Sequence, residues 1–176
     1  ANLNGTWRLR RLGYLDFTAD RPPGALAPQG GDLWFLYRLV RDRKPQLIFE
    51  LGSGCSTVIL AQALYDNTHK DGERAGRIIS LDGKADWASV TQGTLPEHLV
   101  AQCEIRHVPA VEEDRGSDLG FHYEHLPDGM PDFLYPPTRN AFGAPIIKTG
   151  DNLISQNLVK IFTITRVLLR NVIGMR

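Results

Sequence analysis

The stretch "LIFELGSGCSTVILAQAL", residues 47–64, decides the fold that we predict for this chain. It begins with a short apolar run that contains one acid, Glu50, and then opens into Gly52 and Gly54. Apolar residues recur after the glycines at the spacing of a helix. This order is typical of a buried strand, a tight turn and a helix in a parallel sheet.

Three further apolar runs predict strands: "RIISLD" (77–82), "CEIRHVPA" (103–110) and "PDFLY" (131–135). Helical patterns lie between or before them, at residues 30–43 and 85–99. Strands that alternate with helices form βαβ units with right-handed crossovers, so we predict an α/β fold with a mostly parallel sheet and helices on both faces. The helix caps that we expect are Asp32, Ser56 or Thr57, and Asp86.

The two ends of the chain differ from this pattern. Residues 1–28 are rich in Arg, Gly and Pro and predict an irregular N-terminal arm, which leaves residues 29–176 as one domain. The strand-like runs at residues 160–169 and 171–176 predict an antiparallel hairpin at the end of the sheet. Between the third and fourth strands we predict a long polar loop.

Composition excludes several classes of function. Lys plus Arg and Asp plus Glu both total 20, so no excess charge favours nucleic acid or an anionic membrane. No apolar run is long enough to span a membrane. Cys55 and Cys103 have no disulfide or metal-ligand spacing, so we expect a cytoplasmic, reduced protein. His122 and His125 lack a third ligand in the sequence, and we predict no metal site.

The glycine turn after the first strand is suited to a nucleotide-like ligand, because Gly52 and Gly54 leave main chain open to close approach. An NAD-dependent oxidoreductase is disfavoured, since its fingerprint needs a third glycine where Thr57 stands. The carboxylate of Glu50 would also repel a pyrophosphate, whereas it would favour a cationic amino-acid group. We therefore expect a ligand without phosphate.

Asp82 ends the second predicted strand, 28 residues after Gly54. In a βαβ unit an acid at this point lies beside the glycine turn, where it can accept hydrogen bonds from both hydroxyls of a ribose. A nucleoside at one end and a charged amino acid at the other describe S-adenosylmethionine. We accordingly predict S-adenosylmethionine as the cofactor.

At these residues the chain resembles the class I, Rossmann-like S-adenosylmethionine-dependent methyltransferases. "FELGSGCST" (49–57) is similar to their first motif, E-x-G-x-G-x-G, with Ser56 in place of the last glycine, and "ISLDGKADWA" (79–88) is similar to their second. The resemblance covers residues 29–176 and also includes "EIRHVPAVEE" (104–113). It implies a three-layer α/β/α sandwich whose mostly parallel sheet ends in an antiparallel hairpin.

The resemblance also implies roles for individual residues. The turn would line the methionine portion, with Glu50 serving the ammonium group directly or through water, and Asp82 would hold the ribose. Residues 108–110 would lie near the adenine, and residues 29–31 would lie over the cofactor. The predicted cofactor-binding residues are Gln29, Glu50, Gly52, Ser53, Gly54, Ser56, Thr57, Asp82, Gly83, Pro109 and Ala110.

The expected function is methyl transfer to an oxygen or nitrogen of a small molecule, without nucleic acid or membrane as partner; a homo-oligomer is left open. A catalytically inactive S-adenosylmethionine-binding scaffold is the alternative. Relatives carry an acid before the prolines that follow strand four, whereas here Tyr135 runs directly into Pro136, so no catalytic residue is assigned. We further hypothesise that segments are absent after Tyr135 and between Ile154 and Leu158.

Overall fold

The computed structural model describes residues 3–15, 29–114, 119–128 and 131–135. The helices are α1 (Leu3–Arg11), α2 (Gly30–Arg43), α3 (Cys55–Asp71), α4 (Ala85–Thr94) and a 3-10 helix (Glu97–Gln102). The strands are β1 (Leu47–Leu51), β2 (Arg77–Asp82), β3 (Cys103–His107), β4 (Ala110–Asp114), β5 (Leu119–Tyr123) and β6 (Phe133–Tyr135). The four strands predicted from apolar runs are thereby confirmed.

The main sheet is parallel and has the strand order β3-β2-β1-β6. The chain moves outward from β1 through β2 to β3 and then returns to the other side of β1. The predicted α/β fold with a parallel sheet is confirmed by this order. Ligands of open α/β sheets bind outside the carboxyl ends of the strands where the order reverses, which is the end of β1 that carries the glycine turn.

Successive side chains of a strand point to opposite faces of the sheet. Both faces of this sheet are covered by apolar residues. Ile48 and Ile78 pack with apolar residues of α1, α2, α3 and the 3-10 helix. Phe49 and Leu81 lie in a second cluster on the other face, together with Tyr123 of β5. Burial on both faces explains why β1 and β2 are almost continuous apolar runs.

The irregular conformation expected for the start of the chain is wrong for Leu3–Arg11, which forms α1. Leu9 is fully buried in the core of α2 and α3, which stabilises the helix despite its glycine and its arginines. A Cβ atom at Gly5 would lie 2.8 Å from the carbonyl oxygen of Gly30, so glycine is needed where α1 meets α2. The division into an arm (1–28) and a domain (29–176) stays a prediction.

Two of the expected helix caps are wrong in position. Gln29 is the N-cap residue of α2 and Lys84 that of α4, and neither makes a capping hydrogen bond through its side chain. Asp32 and Asp86 instead lie in the first turn of their helices. A carboxylate there still favours the helix through the positive end of its dipole.

The long loop predicted after β3 is also wrong in part. β4 and β5 pair antiparallel, with Ala110 opposite Tyr123, and form a separate two-stranded sheet. Acidic residues are depleted in strands, so "AVEED" has little intrinsic strand signal, and in "LGFHY" a glycine and a histidine interrupt the apolar residues. The predicted hairpin at residues 160–176 and the segments proposed absent after Tyr135 and near Ser155 lie outside the described residues.

A buried carboxylate connects the N-terminal segment and α2 to α3. Asp66 accepts hydrogen bonds from the hydroxyls of Tyr14 (2.7 Å) and Tyr37 (2.6 Å), from Lys70 Nζ (2.8 Å) and from Gln62 Nε2 (3.0 Å). Burial alone would raise the pKa of Asp66, but the hydrogen bonds from Lys70 and the two tyrosines outweigh it, so the pKa is lowered. The network therefore favours the ionised form of Asp66 in the folded protein.

Candidate functional site

The glycine turn follows β1 directly and is joined to the neighbouring strand. Gly52 has φ +98°, a conformation that residues with a Cβ atom rarely adopt. Its N–H donates to the carbonyl oxygen of Leu81 at 2.5 Å, which holds the turn against the end of β2. A Cβ atom at Gly54 would meet no atom within 4 Å among the described residues. The main chain at Gly54 is thus open to close approach.

Glu50 of β1 is fully buried beneath this turn. Its carboxylate accepts hydrogen bonds from three hydroxyls: Ser56 (2.5 Å), Thr57 (2.6 Å) and Ser80 (2.8 Å). Burial raises the pKa of Glu50 to about 7, and the three hydrogen bonds oppose this rise. Glu50 therefore binds the start of α3 to β1 and β2, and its predicted contact with an ammonium group stays a prediction.

Thr57 connects the carboxylate to the turn itself. Its hydroxyl donates to Glu50 and accepts a hydrogen bond from the N–H of Gly54 at 2.9 Å. α3 begins at Cys55 with Gly54 as its N-cap residue. Thr57, the third residue of the helix, therefore satisfies the N–H group of the N-cap residue. The cap expected from Ser56 or Thr57 is therefore wrong as an N-cap, although Thr57 does satisfy an N–H group at this helix end.

Asp82 lies at the end of β2, beside the turn, and is only 4% exposed. One oxygen, Oδ2, accepts hydrogen bonds from the main-chain N–H (2.8 Å) and the hydroxyl (2.6 Å) of Ser53. The other, Oδ1, accepts from the N–H of Lys84 at 3.0 Å. Asp82 thus fixes both the turn after β1 and the entry to α4.

The two acids lie on the same face of the sheet. Glu50 is opposite Ser80 of β2 in the register and accepts a hydrogen bond from the Ser80 hydroxyl. Asp82 is two residues after Ser80 on β2, so the side chains of Asp82 and Ser80 point to the same face. The charge of Asp82 also contributes to raising the pKa of Glu50. The two carboxylates therefore flank the main chain of residues 52–54.

The residues predicted for the adenine side lie next to Asp82. The N–H of Val108 donates to the carbonyl oxygen of Asp82 at 2.9 Å. A Cβ atom at Gly83 would lie 2.9 Å from the Cβ of Ala110, so glycine is required for this close packing. Pro109 accepts a hydrogen bond from the N–H of Glu124 at 3.1 Å, which connects this loop to the end of β5.

Gln29 is the N-cap residue of α2 and precedes Gly30. A Cβ atom at Gly30 would be 2.0 Å from the hydroxyl of Thr6, so this end of α2 packs closely on α1. The predicted position of residues 29–31 over a cofactor is supported by no contact among the described residues, and it stays a prediction.

The sequence interpretation missed three polar residues of this region. Ser80 donates to Glu50, Thr91 of α4 lies 3.2 Å from the Ser53 hydroxyl, and Tyr123 is buried against the other face of β1 and β2. Burial, with the charges of Asp82 and Glu50, raises the pKa of Tyr123. A serine within the apolar run "RIISLD" was the one available signal, because a buried hydroxyl in a strand needs a partner.

Two features are absent from the residues that the structure describes. No three His, Cys, Asp or Glu side chains there are grouped as a metal site requires. Across the same residues, each helix is too short or too polar to cross a membrane.

The comparisons with known proteins gave likenesses to solved structures. No protein-family model matches the chain, and no curated protein matches it either. An O-methyltransferase from Bacillus cereus in complex with SAH is 24% identical, with 56% of this chain and 42% of that chain covered and a TM-score of 0.40. The O-methyltransferase TomG from Streptomyces achromogenes, involved in tomaymycin synthesis and in complex with SAM, is 21% identical, with 59% and 40% covered and a TM-score of 0.40.

A third structure, an SAH-bound methyltransferase from Podospora anserina, is 21% identical, with 56% of this chain and 41% of that chain covered and a TM-score of 0.40. The alignments therefore cover less than half the length of each of these three proteins. All three proteins are described as methyltransferases.

Proposed function

We propose that this chain belongs to the class I methyltransferases, binds S-adenosylmethionine and transfers its methyl group to an oxygen or nitrogen of a small molecule. The observation that supports this most strongly is the placement of Asp82 beside the glycine turn at the carboxyl end of a parallel sheet. An acid and open main chain on one face suit a ligand with a ribose at one end and no phosphate.

Several features of the site support such a ligand. Gly54 is open to close approach, so the methionine portion can lie along residues 52–54. Asp82, at the end of β2 beside the turn, would accept the ribose hydroxyls, and the adenine would lie on the side where Gly83 packs on Ala110. Glu50 supports the turn from beneath through its three hydroxyl partners.

Methyl transfer requires little covalent chemistry from the protein. S-adenosylmethionine supplies the methyl group from its sulfonium, and the reaction is an in-line displacement in which that positive charge is lost. The chain would contribute alignment of donor and acceptor, together with a base only where the acceptor must lose a proton. The balanced overall charge supports a small-molecule acceptor over nucleic acid.

Isothermal titration with S-adenosylmethionine, S-adenosylhomocysteine and NADH tests the proposal. We expect the first two to bind and NADH not to bind. Asp82→Asn should weaken S-adenosylhomocysteine binding by roughly tenfold or more, because the ribose hydroxyls lose a charged acceptor. Asp42→Asn, at an exposed ion pair on α2, is the matched control and should bind as the wild type does.

Binding of NADH alone, or equal affinity of Asp82→Asn and the wild type for S-adenosylhomocysteine, would contradict the proposal. Release of S-adenosylhomocysteine in the presence of a panel of phenol, hydroxyl and amine acceptors tests the enzyme itself. Cofactor binding without turnover on any acceptor would instead favour the inactive scaffold.

A further inference from the structure

The hydrogen bonds around Asp82 leave too few acceptor positions for a ribose. A carboxylate has about four lone-pair sites, two on each oxygen. Ser53 occupies both sites of Oδ2 with its N–H and its hydroxyl, and Lys84 occupies one site of Oδ1. A vicinal diol donates two hydrogen bonds, so one of the existing bonds must break before the diol can bind.

The hydroxyl of Ser53 is the donor that can leave. The N–H of Ser53 belongs to the main chain of the turn, whereas its hydroxyl moves by rotation about a single bond. The same hydroxyl oxygen lies 2.6 Å from Asp82 Oδ2 and 3.2 Å from the hydroxyl of Thr91. One hydroxyl proton serves only one of these acceptors at a time, and Thr91 is the alternative to Asp82.

The carboxylate and the hydroxyl between which the Ser53 hydroxyl would move are both buried. Asp82 is 4% exposed and Thr91 is 5% exposed, so water has little access to either side chain. A hydroxyl that leaves a buried carboxylate without a new acceptor would be costly. Thr91 offers that acceptor within the same part of the site.

We propose that the Ser53 hydroxyl occupies the position of a ribose hydroxyl on Asp82 and turns to Thr91 when a nucleoside with a 2′,3′-diol binds. The inference rests on the proposed function, since it names the group with which the nucleoside competes. Ser53 and Thr91 are thus residues that set affinity for the diol, in addition to Asp82.

Two substitutions with opposite expected effects test this exchange. Ser53→Ala removes the competing donor, so S-adenosylhomocysteine should bind roughly threefold to tenfold more tightly, the range of one hydrogen bond. Thr91→Val removes the alternative acceptor at constant shape, so S-adenosylhomocysteine should bind more weakly by a similar factor. The analogue without both ribose hydroxyls should bind wild type, Ser53→Ala and Thr91→Val equally.

The measurement is isothermal titration of S-adenosylhomocysteine and of its analogue without ribose hydroxyls into the wild type, Ser53→Ala and Thr91→Val. Each protein is first checked for a cooperative thermal transition. Unchanged or weaker binding of S-adenosylhomocysteine by Ser53→Ala would overturn the inference, as would parallel changes for both ligands. Thr91→Val provides an independent test if Ser53→Ala does not fold, and unchanged or tighter binding would overturn the inference there. Absence of S-adenosylhomocysteine binding to the wild type would instead overturn the proposed function and, with it, this inference.

Discussion

At the residue scale, Glu50 connects the chemistry of the turn to the stability of the protein. Its burial raises the pKa to about 7, well above the value of an exposed glutamate. Between these two pKa values the folded protein holds a proton that the unfolded chain has lost. Stability from this residue is therefore greatest at low pH and decreases as pH rises towards 7.

This sign gives a direct prediction for Glu50→Gln. The wild type should lose unfolding free energy on the order of 3 kcal/mol between pH 4.5 and 7 from this residue, and Glu50→Gln should lack that loss. Urea unfolding at several pH values measures it. Glu73→Gln, at an exposed pair with Lys44, is the matched control and should keep the wild-type pH dependence. An identical pH profile for Glu50→Gln and the wild type would show that Glu50 does not titrate in this range.

The residues of the turn could be predicted from the sequence because their types are restrictive. Gly52 needs a positive φ and Asp82 ends a strand, so the sequence alone identifies both residues. The contacts of Ser53 and Ser80 could not be predicted, because they depend on the register between β1 and β2. Register is set by the packing of the whole sheet.

At the scale of elements, the Asp66 network connects α3 to α2 and to the segment after α1. Two tyrosines, Lys70 and Gln62 all donate to a carboxylate that is 1% exposed. Loss of its charge would leave several donors with too few acceptors. The network thus holds the segment after α1 against α3.

Asp66→Asn should lower the unfolding free energy by about 2 to 4 kcal/mol, because an amide offers one acceptor oxygen where the carboxylate offers two. Urea denaturation at pH 7 measures this loss. Asp42→Asn, at the exposed pair with Arg38, should change stability by less than about 0.5 kcal/mol. Equal effects of the two substitutions would mean that the buried network contributes no more than a surface ion pair.

Elements with continuous apolar runs could be predicted, and elements stabilised by their neighbours could not. β1 and β2 were identified because both of their faces are buried. α1 was missed because its helical pattern is short and rich in arginine, and its stability comes from the burial of Leu9. β4 and β5 were missed because each depends on the other for its hydrogen bonds.

At the scale of the whole molecule, the strand order places the glycine turn where the chain reverses direction across the sheet. The parallel arrangement follows from alternating strands and helices and could be predicted, whereas the strand order depends on how the strands pack and could not. The ligand site could be predicted to the same extent, because it lies at the carboxyl end of the first strand. The methyl acceptor could not be predicted, because it depends on side chains that no pattern in the sequence identifies.

The most direct test is a crystal structure of the chain with S-adenosylhomocysteine. We expect the ribose hydroxyls to lie within hydrogen-bond distance of Asp82 and the homocysteine portion to lie along residues 52–54. A ligand bound elsewhere, or a turn that stays unliganded at saturating S-adenosylhomocysteine, would contradict the assignment of this site.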